Sequence, residues 1–559
     1  MVKKAQRNKK PAGKPVKKQP VASPHIKPGL VAFIFLGVIL LFIAWIRIRL
    51  LSFPLERDEG EYAYFGQLIL QGFPPYGHAY NLKLPGTYYS YAFIMSIFGQ
   101  TPSGIHFGLL LFNMGSVVFL FMIAKKLFND FSAVVAAATF GLLCLSPAML
   151  GQAAHATHFV TFFMLGGAWF LILAIEKQNL WYSLSAGIMM GLAFLMKQSG
   201  VFFGVFAGLV ILIHVFTDRT QILRGIVRLL VYIAGVCIPV GLLFLVMYYS
   251  GVFAKFWFWT ITYPGVYASR VPLSEAWNSF TMNFTPILNA SFGLWIAAAL
   301  GALSLIFYPG KSRSRIFTVI FLLFSILTVL PGFYFRSHYF VPLLPAVGLV
   351  TALLFDMINQ RIKKHFSLVV FATGFVFLMI AGSTVATNKE FFFARDPSDL
   401  CRTIYAGNPF TESQPIARYL KENTNPKDKI FIFGSEPQIY FYAQRQSASG
   451  YIYMYDLAFN QKYVKEMQQE MFRDVEAAKP EFILFVSCPY SWLPEQGVVD
   501  TVFNWINAYI QKNNYVQTCV ADIYVTEPTT YVWNAEALNY RPKAGTSVTV
   551  LRRGNRVTK

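Results

Sequence analysis

The feature that most restricts this chain is its repeated runs of roughly 17 to 25 apolar residues, the length that spans ~30 Å of hydrocarbon. Such runs recur near 29–50, 102–124, 131–150, 155–175, 180–196, 199–217, 226–249, 286–308, 315–331, 338–355 and 366–386. A bilayer offers backbone groups no water to bond, so each run is expected to be a helix. The chain therefore reads as a polytopic α-helical membrane protein with about 11 transmembrane helices. Composition agrees: 55% of residues are hydrophobic and only 13% charged, where a soluble chain is about a quarter charged. The first run is too long for a signal peptide and no small-x-small cleavage site follows it, so it reads as an uncleaved anchor.

The net charge of +21 does not describe a nucleic-acid surface. Residues 1–27 hold nine Lys/Arg and no acid, with Pro and Gly throughout, and cannot bury a core. Beside a membrane span, such a tail orients the first helix and touches anionic lipid. Basic residues also concentrate in alternate short connections: Lys125-Lys126, Lys177, Arg219 to Arg228, Lys311 to Arg315, and Arg361 to Lys364. Positive charge marks the cytoplasmic side. The N-terminus is thus expected inside and the C-terminus outside. Arg47 and Arg49, at the outer end of the first span, run against this rule and are assigned as snorkelling side chains.

This topology places three long segments outside: 51–101, 250–285 and the tail from 388. In the tail, KIFIFG (429–434) and EFILFVS (481–487) read as buried strands, and SVTVLRR closes the chain. Helical patterns at 412–423, 459–478 and 499–512 separate them. The expected organisation is a basic tail (1–27), a transmembrane domain (28–387) and an extracytoplasmic α/β domain (388–559). Five cysteines show no CxxC or Cys/His ligand spacing, so no structural zinc site is read. Cys401, Cys488 and Cys519 leave room for one disulfide, with no pair singled out.

The spans carry few charges, whereas ion-coupled transporters hold ionisable groups near the midplane. Here polar residues collect at the outer boundary. Asp58, Glu59, Glu61, His78 and Lys83 lie in the first outer loop. His155 and His158 follow the third span, and Lys197 and Gln198 sit between the fifth and sixth. Arg270 is in the loop 250–285, and Arg336 and His338 precede the tenth span. A carboxylate facing cations at this depth suits sugar transfer from a polyprenyl phosphate. The acceptor hydroxyl needs a base. The phosphate leaving group needs cations rather than an acid, while a glycosidase needs two carboxyl groups. Adjacent Asp58 and Glu59 diverge by about 100° on a helix, which assigns the base to Asp58 and leaves Glu59 to hold acceptor or neighbouring structure. The competing explanation is an acidic helix start that complements the macrodipole, which DEGEYAYFGQLIL also fits.

The stretch RDEGEYAYFGQLILQGFPPYGHAYNLKLPGTYY resembles the first outer loop of the GT-C membrane glycosyltransferases. The similarity is to the bacterial branch related to protein O-mannosyltransferases and the aminoarabinose transferases of lipid A. Asp58-Glu59, Tyr62-Ala63 and Lys83-Leu84-Pro85 carry it, with FRSHYFVPLLP (335–345) and FLMKQSG (194–200) adding to it over roughly 28–386. The resemblance implies an inverting displacement with no nucleotide, no cofactor and no obligatory metal. It makes Asp58 the catalytic carboxylate, with Glu59 beside it, and sets Lys83 against the donor phosphate. Arg336, His338 and Arg270 are further phosphate candidates, and Tyr62, His78, His155, His158, Lys197 and Gln198 are candidate substrate contacts. His338-Tyr339 equally reads as an aromatic helix start at the interface, and Lys197 as a snorkeller.

One departure stands out. Many relatives carry a second acid at the start of the fourth span, where this chain reads GQAAHATHF. His155 and His158 have no evident carboxylate partner there, so no metal site is read. The acceptor is then expected to differ, or another residue to substitute. The expected function is transfer of a sugar from a polyprenyl-phosphate donor to an acceptor hydroxyl, in lipopolysaccharide, another envelope glycan or a protein. The expected place is the outer face of the bacterial cytoplasmic (inner) membrane. Two alternatives are a transporter or flippase of lipid-linked glycans and a membrane-anchored scaffold; neither needs a covalent product.

Overall fold

The structure is a computed structural model that describes residues 28–217, 222–362, 366–495 and 497–554. The basic tail 1–27, Arg219, Lys363 and Lys364 lie outside the described residues. The first half of the chain forms α1 (Pro28–Arg49), α2 (Arg57–Leu70), α3 (Gly86–Phe98), α4 (Pro102–Leu127) and α5 (Asp130–Leu145). It continues through α6 (Ala156–Lys177), α7 (Leu180–Met196), α8 (Val201–Thr217) and α9 (Ile222–Tyr249). Among the described residues, seven helices are long and apolar enough to cross a membrane, or eight if one bent pair counts as a span. α5 and α7 are shorter apolar helices packed into the same bundle.

The span expected at 286–308 breaks. Leu273–Ala290 and Phe292–Ser304 meet at a 107° bend. Ser291 leaves the helical region there, at φ −149° and ψ 42°, as serine readily does at helix ends. The span expected at 131–150 also stops early. Ser146 is extended, Pro147 cannot continue the α-helical bonding, and a short 3-10 turn (Pro147–Met149) follows. That turn delivers residues 151–155 to the entrance of α6. α7 and α9 approach closely because Gly187 and Gly235 face each other. A Cβ on Gly187 would lie 2.1 Å from the carbonyl of Tyr232.

Arg47 does not snorkel. It is 4% exposed and turns inward, donating to the carbonyls of Gly151 at 3.0 Å and Cys144 at 3.4 Å. These carbonyls belong to the end of α5 and the turn after it, where intrahelical partners run out. Arg49 is likewise drawn to the carbonyls of Phe391 and Arg395.

The C-terminal region carries a five-stranded sheet in the order β1-β2-β5-β3-β4. The foreseen strands are β1 (Ile430–Phe433), β2 (Phe482–Ser487) and β5 (Thr546–Arg553). β1 and β2 are parallel, while β5 runs antiparallel to both β2 and β3. The unforeseen strands are β3 (Tyr515–Ile523) and β4 (Thr530–Trp533). β4 is a half-exposed edge strand, short and without the apolar run that marks a buried one. The helices Ser413–Glu422, Val464–Ala478 and Val499–Lys512 fall where the periodicity predicts them. All five cysteines are unpaired, so the room left for a disulfide in this region is not used.

This domain is fastened to the bundle near α2. Gly60 packs so tightly on the helix Pro437–Ala443 that a Cβ would sit 2.5 Å from Gln438. Tyr80 donates its amide to Gly450 at 2.8 Å, and Lys255 pairs with Glu470. The two regions share one continuous apolar core.

Candidate active site

The site starts at the N-terminus of α2. Glu56 is its N-cap, and its Oε1 accepts the amide of Glu59 at 2.8 Å. Glu56 thus serves the helix end, and Asp58 is left for other work. Asp58 Oδ1 lies 2.9 Å from Lys83 Nζ, which also reaches Glu61 Oε2 at 2.7 Å. Tyr88 donates to the other oxygen of Glu61 at 2.6 Å. On its second oxygen, Asp58 faces His155 Nδ1 at 3.9 Å and His338 Nε2 at 4.0 Å. The two imidazoles stack with centroids 4.0 Å apart. α2, the loop before α3, the entrance of α6 and the segment before the helix Leu344–Arg361 therefore converge on one carboxylate.

Burial would push the Asp58 carboxyl up, but Lys83, then His338 and His155, outweigh it and hold it well below the usual range. Asp58 is ionised throughout the working pH range. Glu61 is pushed up by burial despite Lys83. Burial pushes His155 down to about 4, so its ring is neutral near pH 7. Lys197, at the turn after α7, is pushed down to about 7, first by burial and then by Lys83 and Arg336.

These groups open onto a cavity of about 360 Å³ whose walls include Asp58, Lys83, Lys197, Arg336, His338 and Asp456. Lys197 Nζ sits 3.4 Å above the ring of Tyr339. Arg336 reaches the hydroxyl of Tyr267 at 3.5 Å and lies over the ring of Tyr334. Among the described residues, neither cation has a carboxylate at ion-pair distance.

The structure separates the remaining sequence candidates. Tyr62 lines the cavity with its ring 4.7 Å from Lys83 Nζ. Gln198 lines it too and donates to the carbonyl of Leu82 at 2.7 Å. Arg270 is on the wall but leans on Phe459, 3.6 Å from the ring centre, and faces Glu495 at 4.0 Å. Glu59 points away and is fully buried. Its Oε1 accepts the amide of Ala154 at 2.6 Å and meets His106 Nε2 at 3.0 Å. It holds the segment that presents His155. His158 is behind that segment, 3.6 Å from Cys144 Sγ, and His78 lies edge-on to Phe73.

Several partners were not legible in the sequence. His106 is a lone histidine at the start of an apolar helix, a pattern with no distinguishing signal. Arg57 donates to Ser435 O at 2.6 Å and pairs with Glu436 at 2.9 Å, which ties the base of the site to the C-terminal domain. From that domain, Tyr453 donates to Arg57 O at 3.0 Å and lies 3.4 Å from Asp58 Oδ1. Only the density of tyrosines in YIYMYD (451–456) hinted at it.

The histidine without an evident carboxylate partner does acquire one. Asp58, His155 and His338 offer ligand atoms that lie within 4.8 Å of one another, a set suited to a divalent cation. The sequence separated these residues; folding assembles them.

Residues 82–259 match the family model described as dolichyl-phosphate-mannose-protein mannosyltransferase. Asp58 lies ahead of the matched segment. No curated protein sequence matches the chain. Among solved structures the chain is similar to ArnT from Cupriavidus metallidurans bound to undecaprenyl phosphate. The identity is 15% and the TM-score 0.54, over 82% of this chain and 93% of that one. It is also similar to the archaeal oligosaccharyltransferase AglB from Archaeoglobus fulgidus, in complex with an inhibitory peptide and a dolichol-phosphate. That match has 13% identity and a TM-score of 0.52, over 90% of this chain and 74% of the other. A third match is the arabinofuranosyltransferase AftD from Mycobacteria, at 12% identity and a TM-score of 0.50, over 94% of this chain but 40% of that one. At these identities the likeness is one of fold.

Proposed function

For this chain with the GT-C membrane glycosyltransferase fold, we propose transfer of a sugar from a polyprenyl-phosphate donor to an acceptor hydroxyl. The observation that carries the reading is the ionised Asp58 sharing a cavity with two half-buried cations, Lys197 and Arg336, that have no acid partner among the described residues. A buried charge without a counter-charge is costly, and a ligand anion relieves that cost. A lipid-borne phosphate is such an anion, and the neighbouring folds hold undecaprenyl phosphate and dolichol-phosphate.

In this reading the acceptor O–H gives its proton to Asp58 as its oxygen bonds to the anomeric carbon. The bond from that carbon to the phosphate oxygen breaks on the opposite side, with inversion, and its electron pair leaves with the polyprenyl phosphate. Lys197 and Arg336 hold the charge that grows there. Before the donor arrives, Lys83 is shared between Asp58 and Glu61. A phosphate entering the cavity competes for Lys83 and loosens its hold on Asp58, so the carboxylate becomes a stronger base when substrate is present. Fixed cations supply the positive charge, so no metal or cofactor is obligatory. The basic connections at Lys125 and Lys126 lie at the opposite end of α4 from this site, which supports a reading with the chemistry on the outer face of the cytoplasmic membrane. The acceptor is an envelope glycan, lipopolysaccharide or protein hydroxyl.

The test is mass spectrometry of envelope glycans from a deletion strain beside a strain carrying Asp58→Asn at normal protein level. Both should lose the same mass. An intact glycan in the Asp58→Asn strain would sink the assignment.

A further inference from the structure

The C-terminal domain supplies one wall of the cavity. Its segment 451–457 passes over α2, and the short turn Tyr455–Leu457 presents Asp456. Asp456 is 9% exposed. Its Oδ1 accepts from the hydroxyl of Tyr263 at 2.9 Å, which fixes the carboxylate against the bundle. Its Oδ2 accepts no hydrogen bond from the described residues. The nearby cation Arg270 is held by Glu495 and Phe459 instead. Burial pushes the Asp456 carboxyl up to about 6, so it is mostly ionised at neutral pH, and it lines the cavity.

This wall carries two acids, Asp456 and Glu495, against one cation, Arg270, which Glu495 already faces, so it is a poorer seat for an anion than Lys197 and Arg336. A phosphate drawn to Lys197 and Arg336 therefore turns another part of the donor toward Asp456. That part must offer hydrogen-bond donors and no negative charge. It also has to fit beside the rings of Tyr453 and Tyr455, whose centroids are 5.6 Å apart. A sugar ring has these properties: hydroxyls for a carboxylate and an apolar face for aromatic rings. The sugar is bonded directly to the phosphate, so both ends are read in one cavity.

We propose that Asp456 is a specificity-determining residue that accepts hydrogen bonds from hydroxyls of the donor sugar, so that the C-terminal domain selects which sugar is transferred. This rests on the transfer reading above.

The test uses purified full-length protein and two probes, undecaprenyl phosphate and an undecaprenyl-phosphate hexose that the wild type transfers. Asp456→Asn should weaken binding of the hexose-bearing lipid about tenfold, the usual scale for a lost charge-assisted hydrogen bond, and leave undecaprenyl phosphate within about twofold. Tyr263→Phe keeps the carboxylate but frees it, and should give a smaller loss confined to the hexose-bearing lipid. It serves as the second probe if Asp456→Asn lowers the melting temperature. Equal losses for both lipids, no loss, or a change confined to the acceptor KM overturns the assignment. A wild type that binds neither lipid overturns the transfer reading and this one with it, an outcome distinct from the others.

Discussion

Asp58 and Asp356 are aspartates withdrawn from bulk water at different ends of the bundle, and their surroundings differ in kind. Asp356, near the end of the helix Leu344–Arg361, is fully buried and accepts from Asn129, Tyr308 and Gln360. Its partners are neutral, fixed and sufficient, and they join α5 to two later helices. The Asp58 side chain keeps 19% exposure, faces a lysine and two histidines, and opens onto a cavity with three more cations, Lys197, Arg270 and Arg336. Satisfied by neutral donors, a buried carboxylate stitches helices together. Left among movable charges beside open space, it is poised for chemistry.

The sharpest way to break this contrast is to remove both charges in turn. Asp58→Asn should lower transfer at least about a hundredfold, the usual scale of a general base, with little change in melting temperature. Asp356→Asn should cost about 1–3 kcal/mol of stability through its mismatched partners, with turnover per folded molecule unchanged. Transfer assays paired with thermal unfolding read both. A stable, active Asp58→Asn protein would erase the distinction.

Next in size are the unpartnered cations. Lys197→Ala or Arg336→Ala should raise the donor KM roughly tenfold or more, while kcat falls less. If kcat alone falls, these residues act on the leaving group only in the transition state. The pH profile sharpens the point. Lys197 carries its charge below about 7 and loses it above, and only the charged form attracts phosphate. The donor KM should therefore be flat below pH 7 and climb above it, and Lys197→Arg should flatten that climb. A chelator should leave the rate unchanged; a loss restored by a divalent cation would instead assign a metal to Asp58, His155 and His338.

The smallest effect belongs to the exposed pair Lys126–Glu176, at 2.9 Å with both side chains more than a third exposed. Lys126→Ala should change stability by less than about 1 kcal/mol and leave transfer untouched. A larger loss would mean that exposed ion pairs carry more of this fold than the comparison allows.

The membrane helices and three of the five strands were legible in the sequence because both signals are local: apolar length for a span, a short β-branched and aromatic run for a buried strand. The edge strand Thr530–Trp533 and the break at Ser291 were not, since neighbours rather than local pattern decide them. The acidic start of α2 was ambiguous for a related reason. DEGEYAY fits a capped helix and a catalytic site equally, and only the structure gives the cap to Glu56 and leaves Asp58 free. Glu59 looked like Asp58's twin, yet one residue of helical rotation turns it to His106 and the interior.

Sequence alone determined that the chain crosses a membrane many times and that candidate polar residues gather at one boundary, while the resemblance carried by the first loop set Asp58 and Lys83 there as expectations. Burial free energy and basic-residue bias act along the chain, so they can be read from it. Tertiary structure decided which cations stay unpaired, which carboxylate is turned inward, and that Arg57, Tyr453 and Asp456 tie the C-terminal domain to the site. Those choices depend on distances between residues hundreds of positions apart, set only when α2 packs against the helix Pro437–Ala443 at Gly60.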